Sequence, residues 1–335
     1  MKILLWKIGA LGDVIMTTPL VRQLRRAQPG ATIDYLTGHG CVSVLEGNPH
    51  IDRVRSFDAS VLYGAQVGRL RELRPLLRGY DCIFTLDKHW IFALLARLAR
   101  VPMRVGFRRR AHEGLLLTRT VRYGALRHEI DYYLDLADAA GLTVDRSDVA
   151  IEFAGEDPFD LALGTTVLIN SGGANAFEAS QVRRMPDALF ADLVRACAQQ
   201  GPVAFLGAAS EARYYDRFAS AGCLNLCGRT TIPQAASVLR QAERVITTDT
   251  GLMHLAAAVN GNVTAVFGPT HPARKCPPGA NWAWADDGQY DERYELFGRV
   301  PQDRYFGSLT VADILATPIP PQRAARGSEP ASWHS

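Results

Sequence analysis

Short, mostly apolar segments alternate with segments of helical spacing along almost the whole chain. Ten runs of four to seven residues predict strands at 2–8, 31–36, 51–57, 81–86, 103–107, 166–170, 203–206, 224–227, 244–247 and 263–267. Helical spacing occurs between them at 14–27, 67–77, 89–100, 128–141, 186–199, 232–241 and 252–259, and in one more segment from residue 210. Such alternation is typical of parallel sheets whose strands are joined by right-handed helical crossovers. The pattern therefore predicts an α/β fold.

The alternation restarts near residue 150, which indicates two domains. The chain has 335 residues, and a single hydrophobic core rarely grows beyond about 250–300 residues. We predict a doubly wound, Rossmann-like domain over 1–155, a second one over 156–317, and a flexible tail rich in Pro, Ser and Arg over 318–335. Ligands of such sheets bind outside the carboxyl ends of the strands. The glycine-rich turn after the first strand of each half is therefore expected to open into a cleft between the domains.

The turn after the first strand carries Gly9, Gly12 and Asp13. Its glycines let a ligand approach the backbone, but they do not form the complete G-x-G-x-x-G fingerprint of a dinucleotide site. Thr17 adds a hydroxyl close by in the sequence. Asp13 has two interpretations, because a carboxylate at the start of a helix is either an N-cap, worth about 1 kcal/mol, or a group that takes part in chemistry.

A second turn combines more features of an anion-binding site. The strand at 244–247 is followed by Thr248-Asp249-Thr250-Gly251, and His254 lies one turn into the next helix. A helix N-terminus offers free N–H groups and partial positive charge, which suit a diphosphate. His254 is either a hydrogen-bond donor to a phosphate or a structural histidine.

Further residues are candidate contacts to the same ligand. Ser171 and Gly172 follow the strand at 166–170, and Arg183 supplies a guanidinium group suited to phosphate oxygens. Glu211 begins the helix after Gly207. It is either a partner for a ribose or an ordinary glutamate of a first helical turn.

Composition narrows the class of partner. The net charge of +3 does not suggest a nucleic-acid-binding protein, but residues 53–127 hold sixteen Lys or Arg against five Asp or Glu. That stretch fits an anionic partner, such as a phosphate, an acidic sugar or a membrane headgroup, or else it is a solvated surface. The six cysteines form no C-x-x-C pair, so we expect no metal site and a reducing, cytoplasmic location. No run of about 18 apolar residues exists, so any membrane contact is expected to be peripheral.

Four motifs, in this order, resemble the ADP-heptose:lipopolysaccharide heptosyltransferase family. They are K-I-G-A-L-G-D-V-I-M-T-T-P-L (7–20), R-R-M-P (183–186), T-D-T-G-L-M-H-L-A-A-A (248–258) and F-G-P-T-H-P-A-R (267–274). The resemblance covers residues 1 to about 275. It implies the GT-B fold, in which two Rossmann-like doubly wound domains face one another across a cleft. It also implies an inverting, metal-independent glycosyltransferase that needs no cofactor and takes ADP-heptose as co-substrate.

The resemblance also implies roles for individual residues. Asp13 matches the residue proposed as general base, and Arg183 falls where the family usually has Lys. The diphosphate-binding turn is matched by Asp249, Thr250, Gly251 and His254. The nucleoside contacts are matched by Glu211, Thr230 and Thr231. The implied acceptor is an anionic glycan or glycolipid, such as the lipopolysaccharide core, reached in the cytoplasm with peripheral contact to the inner membrane.

Three alternatives stay open at this point. The first is a transferase of the same fold that uses another nucleotide sugar. The second is a sugar-nucleotide epimerase or a dehydrogenase on two Rossmann domains, although the incomplete glycine fingerprints disfavour a dehydrogenase. The third is a non-catalytic nucleotide-sugar-binding protein, in which Asp13 is only a helix cap.

Overall fold

Two six-stranded sheets organise the chain, as seen in a computed structural model that describes residues 1–63, 67–172, 182–219, 222–285, 290–292 and 305–316. The strands of the N-terminal sheet are β1 (Lys2–Trp6), β2 (Thr32–Gly38), β3 (Arg53–Phe57), β4 (Cys82–Thr85), β5 (Met103–Arg108) and β6 (Arg119–Arg122). Those of the C-terminal sheet are β7 (Thr166–Ile169), β8 (Val203–Phe205), β9 (Cys223–Asn225), β10 (Arg244–Thr248), β11 (Val263–Phe267) and β12 (Asn281–Trp284).

Each sheet has the strand order of a Rossmann-like domain. The N-terminal order is β3-β2-β1-β4-β5-β6 and the C-terminal order is β12-β11-β10-β7-β8-β9. All ten strand pairings are parallel. The predicted α/β architecture of two doubly wound domains is therefore confirmed. The domain boundary near residue 155 stays a prediction, and the tail at 318–335 lies outside the described residues.

The sequence prediction missed two strands, β6 and β12, and both lie at a sheet edge. In β6, Arg119 and Arg122 are exposed, so the segment lacks the apolar run of a buried parallel strand. In β12, Trp282 is 52% exposed. The other two edge strands, β3 and β9, were predicted, so the edge position alone does not explain the miss. β6 has arginine at both ends, and β12 is only four residues long.

Helices connect the strands on both faces of each sheet. In the N-terminal half they are α1 (Leu11–Ile15), α2 (Thr18–Ala27), α3 (Val42–Leu45), α4 (Ser60–Tyr63), α5 (Arg74–Leu77), α6 (Trp90–Leu98) and α7 (Glu129–Ala139). In the C-terminal half they are α8 (Asp187–Ala198), α9 (Ala212–Asp216), α10 (Ile232–Gln241), α11 (Gly251–Val259), α12 (Pro272–Lys275) and α13 (Val311–Ala316). None of the helices in the described ranges has the length and apolar character needed to cross a membrane.

The helix predicted at 14–27 is in fact two helices, α1 and α2. Pro19 lies in the first turn of α2, and a proline there has no N–H to continue the hydrogen bonding of α1. The hydroxyls of Thr17 and Thr18 donate to the carbonyls of Val14 and Ile15 at 2.7 and 2.8 Å, which satisfies the end of α1. The break leaves α1 as a short helix that carries Asp13.

Alternate residues of each central strand pack on opposite faces. In β1, Ile3 and Leu5 pack with α1, α2 and α7, whereas Leu4 and Trp6 pack with α5 and α6. All four of these side chains are fully buried. The core that contains Ile3 continues into the C-terminal half through α10 and α11. The inner helices of the two halves therefore share one packed junction, and the candidate site lies at its edge.

Candidate active site

Two crevices, one from each sheet, form the candidate site. The strand order reverses between β1 and β4 in the N-terminal sheet and between β7 and β10 in the C-terminal sheet. Such reversal points leave a crevice outside the carboxyl ends of the strands. In the C-terminal sheet, the Ser171 amide donates to Thr248 Oγ1 at 3.0 Å, and that hydroxyl donates to the Ser171 carbonyl at 2.6 Å. These bonds fix the ends of β7 and β10 side by side.

Two glycines bring the crevices into contact. A Cβ atom on Gly12 would lie 2.4 Å from Cδ2 of His254, and a Cβ atom on Gly251 would lie 3.1 Å from Cβ of Leu11. Ordinary carbon–carbon contacts are about 3.5–4.0 Å. Only glycine therefore allows α1 to approach α11 this closely. The turn after β1 and the turn after β10 therefore meet at one cleft. The turn after β7, which the sequence predicted to open there, is joined to the end of β10 through Ser171 and Thr248.

Asp13 lies on the N-terminal side of this contact. Its side chain is 28% exposed, and its carboxylate lies 3.3 Å from Lys7 Nζ and 3.5 Å from Lys275 Nζ. The N-cap of α1 is Ala10, and no side chain caps that helix end. The cap interpretation of Asp13 is therefore not what the structure shows. The carboxylate faces the cleft between two ammonium groups.

The charges around Asp13 keep it ionised. Burial raises the pKa of a carboxyl group, but Lys275, Lys7 and Lys88 outweigh that effect and hold the pKa of Asp13 well below its ordinary value. Lys7 is itself fixed by Asp87, whose carboxylate lies 2.5 Å from Lys7 Nζ and also accepts the Ile8 amide at 2.8 Å. Asp13 is thus ionised and can accept a hydrogen bond, and its three cationic neighbours weaken it as a base.

A buried glutamate completes the charge network. Glu129, in the first turn of α7, is 1% exposed and pairs with Lys88 at 2.9 Å and with Lys275 at 3.6 Å. The Tyr123 hydroxyl donates at 2.5 Å to Oε1, the oxygen that Lys275 contacts, whereas Lys88 contacts Oε2. Burial favours the protonated form of Glu129, but Lys88 and Lys275 together lower its pKa to about 2. Glu129 therefore holds both ammonium groups at the cleft.

Polar atoms that are buried without a partner lie at the start of α11 and shortly after β11, the strand beside β10. Thr250 is the N-cap of α11, yet its side chain makes no cap hydrogen bond. Among the described residues, Thr250 Oγ1, Thr270 Oγ1 and His254 Nδ1 are buried side-chain atoms without a hydrogen bond. Leaving such a group unpaired costs about 1–3 kcal/mol. The free N–H groups of the helix start and these unpaired atoms together suit an anionic, oxygen-rich ligand.

His254 is a neutral donor or acceptor in this site. It is 3% exposed. Burial is the main cause that lowers its pKa to about 4; Asp249 opposes the shift and Lys275 adds to it. The imidazole is therefore uncharged at neutral pH, and it can serve a phosphate only through a hydrogen bond.

Arginines and acids line the C-terminal side of the crevice. Arg183 Nη1 lies 2.9 Å from Asp249 Oδ2, which holds the guanidinium beside the turn. Glu211 is more fully engaged: one oxygen accepts the Ser171 hydroxyl at 2.7 Å and Arg184 at 2.8 Å, and the other accepts the Ala208 amide at 3.0 Å. The structure thus places Ser171, Arg183 and Glu211 around one crevice, as the sequence suggested.

The structure does not bring the remaining threonine candidates of the sequence analysis, Thr17, Thr230 and Thr231, into this crevice in the same way. Thr17 is fully buried, and its hydroxyl bonds to Val14 and, at 2.7 Å, to Tyr35, so its side chain does not line the cleft. The Thr231 hydroxyl caps α10 by accepting the Gln234 amide at 3.2 Å. Thr230 is half-buried beside it. The nucleoside role of this pair stays a prediction.

A basic cavity of about 810 Å³ lies on the N-terminal side. Its lining includes Arg109, Arg110, Arg122, Arg127 and Tyr123, together with two acids, Glu113 of the same half and Glu292 of the C-terminal half. Within the part of the chain that the structure describes, the guanidinium groups of Arg110 and Arg122 have no carboxylate partner, whereas Arg127 pairs with Asp135. Tyr123 links the cavity to Glu129. The basic stretch of the sequence therefore contributes a concave surface close to the charge network.

Sequence reasoning missed the network itself. Lys88 could have been placed near Asp13 from the sequence, because it follows β4 and β4 lies beside β1 in the sheet. Glu129 and Lys275 gave no signal, because their partners are distant in sequence. Over the described ranges, no group of three or more His, Cys, Asp or Glu is arranged to hold a metal ion.

Comparison with known proteins agrees with this geometry. Residues 69–285 match the family model of glycosyltransferase family 9 (heptosyltransferase). Lipopolysaccharide heptosyltransferase 2 of Escherichia coli K12 is 27% identical over 297 residues, which cover 81% of this chain and 84% of that protein.

Solved structures show the same fold. The glycosyl transferase family 9 protein from Veillonella parvula superposes with a TM-score of 0.73 at 20% identity, over 93% of both chains. An E. coli heptosyltransferase with bound ADP-2-deoxy-2-fluoro heptose gives a TM-score of 0.68 at 21% identity, over 85% of this chain and 93% of that one. The predicted GT-B architecture is confirmed, and the chain belongs to glycosyltransferase family 9, the heptosyltransferase family.

Proposed function

We propose that this glycosyltransferase moves a heptose from ADP-heptose to a hydroxyl of an anionic, lipopolysaccharide-type acceptor, with inversion and without a metal ion. The observation that carries the proposal is the contact between the two crevices. An ionised carboxylate, Asp13, faces a helix start that holds the unpaired polar atoms of Thr250 and His254. The names of the relatives supply the sugar and the acceptor class.

In the proposed reaction the donor diphosphate lies at the start of α11. The helix N–H groups and Arg183 stabilise the negative charge that develops on ADP as it leaves. This is the role that a divalent cation would otherwise have, and it is the reason for proposing metal independence. Thr250 and Thr270 would gain partners in the donor complex, which removes their cost in the donor-free chain.

The acceptor hydroxyl attacks the anomeric carbon in a single displacement. Its oxygen forms the new glycosidic bond, the bond between that carbon and the phosphate oxygen breaks, and the hydroxyl proton passes to Asp13. The base belongs to the N-terminal crevice and the leaving group to the C-terminal one. A base and a leaving group on opposite sides of the sugar are what inversion requires.

The basic cavity supports an anionic acceptor. Arg110 and Arg122 are exposed guanidinium groups, free of carboxylates in the described part of the chain, and such groups bind phosphate or carboxylate. A lipopolysaccharide acceptor is a glycolipid, so we propose that the enzyme works in the cytoplasm with peripheral contact to the membrane surface.

Titration of the purified protein with ADP, UDP, GDP and CDP, each with and without a chelator, tests the donor assignment. We expect binding of ADP that is stronger than that of the other three nucleotides and insensitive to the chelator. Preference for another nucleotide would refute ADP-heptose as donor. ADP binding without transfer to any acceptor would favour a binding protein over an enzyme of this reaction.

A further inference from the structure

Lys275 crosses the cleft between the two halves of the molecule. It is the last residue of α12, in the C-terminal half, and its side chain is 17% exposed. Its ammonium group lies 3.5 Å from Asp13 and 3.6 Å from Glu129, and both carboxylates belong to the N-terminal half. No other lysine of the network comes from the C-terminal half, because the remaining ones are Lys7 and Lys88. Arg274, also in α12, reaches the network only through the Tyr123 hydroxyl at 3.3 Å. Lys275 is therefore the cation whose direct contacts to the network's carboxylates depend on how the halves are arranged.

The three lysines differ in how tightly they are held. Lys7 contacts Asp87 at 2.5 Å and Lys88 contacts Glu129 at 2.9 Å, so each has a short ion pair within its own half. Lys275 has two long contacts. Charge-assisted N–H···O bonds are typically about 2.7–2.9 Å. Of the three lysines, Lys275 therefore loses the least ion-pair energy when its ammonium group leaves Asp13 and Glu129 to bind an incoming anion.

The start of α11 lies close to the contact between Lys275 and Asp13. Gly12, the neighbour of Asp13 in the chain, packs directly against Gly251 and His254 of that helix. Burial opposes the charged form of Lys275, but Asp13, Glu129, Tyr123 and Asp249 outweigh it, so its pKa stays raised. Lys275 in turn contributes, after burial, to the low pKa of His254. The ammonium group therefore lies beside the base, at the place where α1 contacts the start of α11.

We propose that Lys275 is a positioning residue that couples donor binding to the basicity of Asp13. In the donor-free chain its ammonium group neutralises Asp13. When the donor binds, the ammonium group turns to the diphosphate, and Lys7 is then the one direct partner that Asp13 keeps among the described residues. The carboxylate then becomes a stronger base at the moment when a sugar is in place. The proposal rests on the proposed function, because it needs a diphosphate at α11.

The groups that face Asp13 set the expected pH dependence. They are Lys7 after β1, Asp87 and Lys88 after β4, Glu129 in α7, His254 in α11 and Lys275 in α12. A carboxylate whose pKa is lowered by cations is active above that pKa and is lost as the pH falls through it. Removing one of these cations raises the pKa of Asp13. The rate then begins to fall at a higher pH when the solution is acidified, which is a shift of the acidic limb of the pH–rate profile to higher pH.

The test compares Lys275→Met, Lys275→Arg and, as a control, Lys2→Met, which changes an exposed lysine of β1. ADP affinity is measured for each, together with thermal unfolding and the pH profile of kcat/KM for the donor, which reports the enzyme before the donor binds. We expect Lys275→Met to weaken ADP binding by about tenfold, as for the loss of one charge-assisted contact. The same variant should shift the acidic limb of kcat/KM upward by at least about one pH unit. Lys275→Arg keeps the positive charge, so it should keep most of the wild-type ADP affinity and pH profile. Lys2→Met should change neither the affinity nor the profile.

The outcomes separate the two proposals. If the wild-type chain does not bind ADP, the proposed function fails and the coupling fails with it. If the wild type binds ADP, the coupling is refuted when Lys275→Met moves only one of the two readouts, or neither. If Lys275→Met does not fold, Lys275→Arg decides: retention of the wild-type affinity and profile supports a role for the positive charge, and loss of both overturns it.

Discussion

Substituting Gly12 by alanine tests whether the contact between α1 and α11 is part of the active state. The new Cβ atom would lie 2.4 Å from Cδ2 of His254, 3.2 Å from its Nε2 and 3.2 Å from Cα of Gly251. Overpacking of this kind costs about 1–3 kcal/mol. The clash is between the two halves and not within one core, so a small separation of the halves relieves it without unfolding.

The magnitude follows from that cost. A strain of about 1–3 kcal/mol lowers the equilibrium constant for the closed arrangement by roughly 5- to 150-fold. If transfer needs the closed arrangement, kcat falls by up to this factor. The diphosphate turn belongs to the C-terminal half alone, so ADP affinity should change less than kcat. Alanine also suits a helix better than glycine, so the midpoint of thermal unfolding should stay within a few degrees.

The assay is release of ADP at saturating donor and acceptor, with thermal unfolding measured on the same sample. Gly40→Ala is the matched control, because a Cβ atom on Gly40 meets nothing within 4 Å. We expect Gly12→Ala to lose turnover and the control to keep it. A Gly12→Ala variant with wild-type kcat would refute the reasoning, and so would a large drop in its unfolding temperature, which would place the strain inside one domain.

Two further substitutions test the donor and acceptor sides. Thr250→Val removes a buried hydroxyl that has no partner, so the free energy of unfolding should rise by up to about 1–3 kcal/mol while ADP affinity falls by roughly fivefold, and calorimetry checks both. Thr248→Val should instead destabilise the fold, because its hydroxyl bonds to Ser171. Arg122→Gln should raise the KM for an anionic acceptor several-fold and leave kcat and the donor KM unchanged. Arg119→Gln, which changes an exposed arginine of the same strand outside the cavity lining, should leave the acceptor KM unchanged. Equal effects of the two substitutions would contradict a specific acceptor cavity.

The sequence revealed the elements of the site but not how they meet. The sequence identified Gly12 and Gly251 as candidate site residues, because each lies between a predicted strand and the start of a predicted helix. The sequence could not predict that they contact each other, since this contact depends on how the two domains pack. In the same way, Lys275 and Asp13 are 262 positions apart in the chain, and nothing in either motif encodes their pairing. Local patterns thus predicted both sheets, and the electrostatic environment of the base required the three-dimensional structure.

Asp13→Asn separates binding from chemistry most directly. The amide keeps the shape of the side chain between Lys7 and Lys275 but cannot accept the acceptor's proton. We expect turnover to fall by about 10²–10⁴-fold, the usual contribution of a general base. ADP affinity should be retained or increased, because a negative charge near the diphosphate is removed. Turnover near the wild-type rate would contradict the role of Asp13, and a loss of ADP binding together with turnover would show that Asp13 supports the site and not the reaction.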